Sequence, residues 1–159
     1  MNWPKLSLVT GLRNRPESCV RLVDSVIRNT PPISWEMIIA DASDVPITDV
    51  YKFPENIIVL PERPRLGYSA GYNRALSKAT GEWVIILNDD AETLPSYASH
   101  AIRFMESNPR FGIGALRYAD DMTRETFHVN TCGYGMLYSN FPVIRRALGE
   151  AITPGIPAL

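Results

Sequence analysis

Cysteine is scarce in this 159-residue chain. Cys19 and Cys132 lie far apart and outside any CxxC or paired pattern, so neither a disulfide framework nor a cysteine-rich zinc site is indicated. A long apolar run is absent as well. The longest, Trp83-Val84-Ile85-Ile86-Leu87, falls far short of the roughly 20 residues a helix needs to cross a bilayer. Met1-Asn2-Trp3-Pro4 lacks the basic-then-apolar layout of a signal peptide. A reduced cytoplasmic setting is therefore expected, free or peripheral to the inner face of the membrane.

No excess of one charge exists either. The 16 basic and 17 acidic residues are interspersed and leave a formal charge of −1, which argues against nucleic acid or an anionic membrane as a partner. The turn Gly11-Leu12-Arg13-Asn14-Arg15 is neither a GxGxxG dinucleotide fingerprint nor a GxxxxGK[ST] phosphate loop, so the common nucleotide-binding motifs are missing too. No repeat or low-complexity linker interrupts the chain. With 45% hydrophobic and 21% charged residues, one globular domain over residues 1–159 is expected.

What is present is an alternation of two patterns. Lys5 to Thr10 is short and β-prone, and Pro16-Glu17 then opens a helical pattern through Val20, Leu22, Val23, Val26 and Ile27 that Pro31-Pro32 stops. Trp35 to Ala40 predicts a second strand, and Asn56 to Leu60 a third, ended by Pro61. Ser69 is expected to cap a helix carrying Tyr72, Ala75, Leu76 and Ala79, with Gly81 ending it. Glu82 to Leu87, apolar nearly throughout, reads as a strand covered on both faces, and Pro95 starts another helix. Such alternation predicts an α/β fold: three layers, α/β/α, around a mostly parallel central sheet. Beyond Phe111 the pattern changes. Short strands are expected at Gly112 to Arg117, Thr126 to Val129 and Gly135 to Tyr138, and a helix over Phe141 to Leu148, capped by Ser139 or Asn140.

In open α/β sheets ligands bind beyond the carboxyl ends of the strands, where backbone N–H groups and helix N-termini converge. Four loops occupy such places: Gly11 to Arg15, Asp41-Ala42-Ser43-Asp44, Arg65 to Asn73, and Asn88-Asp89-Asp90. A turn with two carboxylates suits a hard divalent cation, Mn²⁺ or Mg²⁺, which takes oxygen ligands and keeps positions open for phosphates. Taken alone, the same turn is more readily a helix N-cap with dipole-compensating acids.

The ordered set weighs against that plain reading. Leu8-Val9-Thr10 to Arg15-Pro16, Glu36 to Ser43, Gly67 to Asn73, and Ala79 to Asp90 together resemble the family 2 glycosyltransferases of GT-A fold. The likeness covers roughly residues 5–118, with a weaker echo in Gly133 to Tyr138 and Val143 to Gly149. It implies a nucleotide-sugar-binding half over about 5–107 and an incomplete acceptor-side half over about 108–159. By position it makes Asp41 a hydrogen-bond acceptor for the nucleotide base and puts Arg13 and Arg15 near the base or diphosphate. Thr10 and Ser43 fall within the donor-binding blocks, and the Gly67 to Asn73 loop would line the sugar-phosphate pocket. Asn88-Asp89-Asp90 resembles the family's DxD motif. Asp90 would hold the metal with Asp89 beside it, while Asn88, neutral where Asp is commoner, would serve a ribose contact better than a metal.

The donor implied is a UDP-, GDP- or dTDP-linked sugar, and the acceptor a saccharide, lipid or protein. The resemblance further implies inversion at the anomeric carbon and a carboxylate base for the acceptor. No acidic pair follows Glu150, so the expected base is missing; Asp120, Asp121, Glu125 and Glu150 are the remaining candidates. The rival expectation is a nucleotide-sugar-binding or assembly module that lacks a base. Oligomeric state stays open. His128 and Cys132, four apart but in strand-like surroundings, lack a third zinc ligand. His100 reads as a surface helix residue, and Trp3, Trp35 and Trp83 as packing groups.

Overall fold

The computed structural model describes residues 5–110, 113–115 and 142–145. The chain runs β1 (Leu6–Leu12), α1 (Pro16–Asn29), β2 (Trp35–Asp41), a 3₁₀ turn (Ile47–Asp49), β3 (Ile57–Pro61), α2 (Tyr68–Lys78), β4 (Trp83–Ile86), α3 (Tyr97–Ser107), β5 (Ile113–Ala115) and β6 (Pro142–Arg145). These form one six-stranded sheet in the order β3-β2-β1-β4-β6-β5. β1 to β4 are mutually parallel, with Leu6 opposite both Trp35 and Trp83. β6 runs antiparallel to both of its neighbours.

The alternation of side chains along each strand builds two cores. On one face Leu6, Leu8, Met37, Ile39, Trp83 and Ile85 pack with Leu22, Val23 and Val26 of α1 and with Ala98, Ala101, Ile102 and Met105 of α3. On the other, Val9, Ile38, Ala40 and Val84 pack with Tyr72 and Ala75 of α2. The result is the expected three-layer α/β/α arrangement. Trp83 is 1% exposed, a core residue as expected, and His100 lies at the surface.

Several local expectations change. α2 begins at Tyr68, with Gly67 rather than Ser69 in the cap position at φ 87°, a left-handed value that favours glycine. Gly81 does not cap α2, which ends three residues earlier; it sits against β1, where a Cβ would lie 2.6 Å from the Ser7 backbone nitrogen. The helix expected over 141–148 is instead strand β6 at 142–145. Branched Val143 and Ile144 favour a pleated strand, and Pro142 sits at its first residue, where a missing N–H is tolerated. β6 also covers the edge that β4 would otherwise expose. The strands expected at 126–129 and 135–138 lie outside the described residues. So do Trp3, Asp120, Asp121, Glu125, His128, Cys132 and Glu150.

Candidate functional site

β1, β2 and β3 step outward in one direction, and the chain then returns to place β4 on the other side of β1. The loops leaving β1 and β4 therefore diverge, and a crevice opens between them. An open cleft of about 650 Å³ occupies this position. Its walls are Gly11 to Arg15 at and beyond the end of β1, Ala40 and Ala42 around the end of β2, Glu62 and Arg65 after β3, the first turn of α2, and Asn88-Asp89-Asp90 after β4.

A hydrogen-bonded clip joins the first two loops. Asn14, at φ 54°, donates its backbone N–H to Ser43 Oγ (2.9 Å) and its side-chain amide to Asp44 Oδ2 (2.8 Å). The Asp44 N–H returns a bond to Asn14 Oδ1 (2.9 Å). Asp41 braces the same loop from beneath, because its two oxygens accept the N–H groups of Ser43 (2.9 Å) and Ile47 (2.8 Å). Asp41 is only 2% exposed. Opposite, Tyr72 donates its hydroxyl to Leu87 O (3.1 Å). Its ring lies against Gly11, where a Cβ would come 2.8 Å from Cε2. Tyr72 thereby ties α2 to the strand that carries the acidic turn.

That turn is not a helix cap. α3 begins at Tyr97, well beyond it, and its cap residue Ser96 makes no side-chain hydrogen bond. The Ala91 N–H closes on Asn88 O (3.2 Å), and the following Thr93 is pinned to α1 by its N–H on Ser25 Oγ (2.9 Å). Asp90 therefore projects into the cleft, where Arg15 Nη1 meets its Oδ2 at 3.2 Å. Both side chains are more than half exposed (61% and 53%), so the pair contributes little, about 0–1 kcal/mol. Asp89 is raised above the ordinary carboxylate range, chiefly by burial and next by the charge of Asp90, with Arg15 opposing. A cation entering here would relieve that repulsion. Among the described residues no group of three or more His, Cys, Asp or Glu gathers as a metal cage. The donor set fits an ion that takes one or two carboxylates from the protein and the rest from water and phosphate.

Of the residues expected from sequence, Arg13, Arg15, Gly67, Asn88, Asp89 and Asp90 line the cleft together. Asp41 and Ser43 lie behind the wall as loop braces. Thr10 is fully buried, and Asn73 lies on the exposed surface of α2, away from the cleft. Sequence reasoning named the loops that hold Asn14 and Tyr72 without singling those residues out, and missed Glu62. Cys19 is no nucleophile: burial first, then the charges of Asp89 and Asp41, push its thiol up to about 12.

The fold recurs in known proteins. S. aureus TarS 1–349 superimposes with a TM-score of 0.59 at 21% identity, over 69% of this chain and 34% of that one. The Pyrobaculum calidifontis mannosyltransferase PcManGT, solved with GDP-Man and Mn²⁺, gives 0.59 at 19% identity, over 71% of this chain and 35% of that one. The fold is thus the α/β fold of the GT-A glycosyltransferases. The family model for glycosyl transferase family 2 matches residues 7–156, and the chain belongs to that family. An uncharacterized glycosyltransferase of Methanocaldococcus jannaschii, MJ1057, is 26% identical over 115 residues, which make up 68% of this chain. The chain spans between a third and two-fifths of the length of these relatives. No described helix is long and apolar enough to cross a membrane.

Proposed function

We propose that this cleft binds a nucleoside-diphosphate sugar together with Mn²⁺ or Mg²⁺, and that the chain supplies the donor side of an inverting glycosyltransferase. One observation carries the reading: an acidic turn after β4, with Asp90 exposed, faces the arginines of the β1 and β3 loops across one open crevice. Asp90, with Asp89 beside it, would hold the cation, which neutralises charge on the departing nucleoside diphosphate. Arg15, bound to Asp90 only by a weak surface pair, is free to turn to the diphosphate. Arg13 and Arg65 stand on the same walls. Asn88 would take a sugar or ribose hydroxyl through its carbonyl. The base would lie toward β2 and β3, over the loop that Asp41 braces.

Calorimetry of the whole chain with UDP, GDP and dTDP, with and without Mn²⁺, tests the reading. Metal-dependent binding that Asp90→Ala removes is the expected result. Absence of metal-dependent binding for all three would overturn it. Asp120, Asp121 and Glu150 are the candidates for the acceptor's base, and none of the donor-side groups needs to fill that part. If the full chain binds donor but neither transfers nor hydrolyses any nucleotide sugar, the second reading, a donor-binding or assembly module, replaces the enzyme.

A further inference from the structure

Glu62 directly follows β3 and lines the cleft, yet it is only 4% exposed. Its backbone is fixed by its N–H on Asp41 O (2.8 Å). Its carboxylate, in contrast to that of Asp41, takes no hydrogen bond and no ion pair from the described residues. Its oxygens are not sealed off but keep an opening onto the cleft, and a nearly buried carboxylate there favours a ligand that brings donors. Its seat is also built: a Cβ at Gly71, in the first turns of α2, would overlap Glu62 Oε1. Alanine is the better helix former by about 1 kcal/mol, so the glycine gives up helix stability where it makes room for this side chain.

Position selects the ligand's chemistry. Glu62 follows β3 and the acidic turn follows β4, three strand spacings away in the order β3-β2-β1-β4, or about 14 Å at the usual separation. Such a span suits a nucleoside diphosphate lying across the strand ends, phosphates at the β1–β4 end and base at the β3 end. A carboxylate repels phosphate but accepts N–H groups. Ala40 and Ala42 beside it leave room for a flat ring.

We propose, resting on the donor reading above, that Glu62 reads the nucleobase and selects guanine. Its two oxygens match an adjacent pair of donors, which guanine offers in N1–H and N2–H. Uracil and thymine present one N–H between two carbonyls, and a carbonyl would then face the second carboxylate oxygen. A site built to satisfy donors discriminates against ligands that lack them.

Calorimetry of the full chain in Mn²⁺ tests this, with GDP and UDP as probes. GDP is expected to bind at least about tenfold more tightly than UDP, the range of hydrogen bonds to a charged group. Glu62→Gln should weaken GDP by about 10- to 100-fold and change UDP by no more than about twofold. Gly71→Ala, which displaces the carboxylate while leaving it in the chain, should reproduce that loss. Wild-type preference for UDP, or equal affinities, overturns the assignment without any variant. A Glu62→Gln effect that is nil or equal on both nucleotides overturns it too. Failure of every nucleoside diphosphate to bind with metal overturns the donor reading itself.

Discussion

The parallel strands end differently at their two ends. At their N-terminal ends the polar groups close on one another: Ser7 Oγ (2.6 Å), the Thr80 N–H (2.6 Å) and Thr80 Oγ1 (2.8 Å) all donate to Glu36 Oε1. The Gly81 N–H completes the set on Ser7 Oγ (2.8 Å). At their C-terminal ends, Asp90 has only a solvent-exposed partner, Asp89 is raised from its ordinary value by burial first and by the charge of Asp90 next, and Glu62 has no partner among the described residues. Both ends carry acids on the same sheet. The first satisfies Glu36 internally and gains rigidity; the second satisfies Asp41 in the same way but leaves Asp90 and Glu62 open to a ligand.

The comparison breaks most sharply under Asp90→Ala. Partners that merely support a metal ligand already change affinity by about 10- to 100-fold, so loss of the ligand itself should weaken Mn²⁺-dependent nucleotide binding by about 100-fold or more. The melting temperature should barely move, because the side chain is exposed and its ion pair weak. A large drop in melting temperature with unchanged binding would put Asp90 in the scaffold.

The opposite end should respond in the opposite way. In Gly81→Ala a methyl would lie 2.6 Å from the Ser7 nitrogen and 2.8 Å from the Leu6 carbonyl carbon. Backbone cannot step aside as a side chain can, so a loss of about 2–3 kcal/mol in denaturant unfolding is expected. Glu36→Ala should cost somewhat less, about 1–2 kcal/mol, by leaving the buried Ser7 hydroxyl without its acceptor. Neither variant, while folded, should alter nucleotide affinity by more than about twofold, within ordinary additivity error. A selective binding defect in either would erase the distinction between the ends.

Much of the fold was legible because its signals are local. Trp35 to Ala40 and Trp83 to Leu87 are apolar on both faces, and both cores use them. β6 was not legible, since Val143-Ile144 suits helix or strand until β4 offers a pairing edge. In the site, loop position was readable but side-chain direction was not. Thr10 and Asn73 sit one residue from Gly11 and Tyr72, which line the cleft, yet one step along a strand or helix turns a side chain elsewhere. Glu62, next to Arg63-Pro64, reads in sequence as an ordinary solvated loop acid. Only the packing of α2 through Gly71 buries it. An acid immediately after a strand's carboxyl end was nonetheless a usable signal, by the rule that singled out the other four loops.

Arg15→Gln should give the smallest effect, and it sharpens the picture of the open end. In the free protein the guanidinium occupies Asp90 and offsets part of the repulsion on Asp89. Mn²⁺ must therefore displace a cation that contributes only about 0–1 kcal/mol. Removing that cation should tighten Mn²⁺ binding in the absence of nucleotide by up to about fivefold. With nucleotide present the sign should reverse, because the freed arginine is then needed at the diphosphate, and GDP affinity should fall by about three- to tenfold. Titrations of metal alone and of nucleotide at saturating metal separate the two effects. Weakening in both would make Arg15 a holder of the turn, and strengthening in both would leave it without a part in donor binding. Only opposite signs fit an arginine that stands in for the metal and then serves the phosphates.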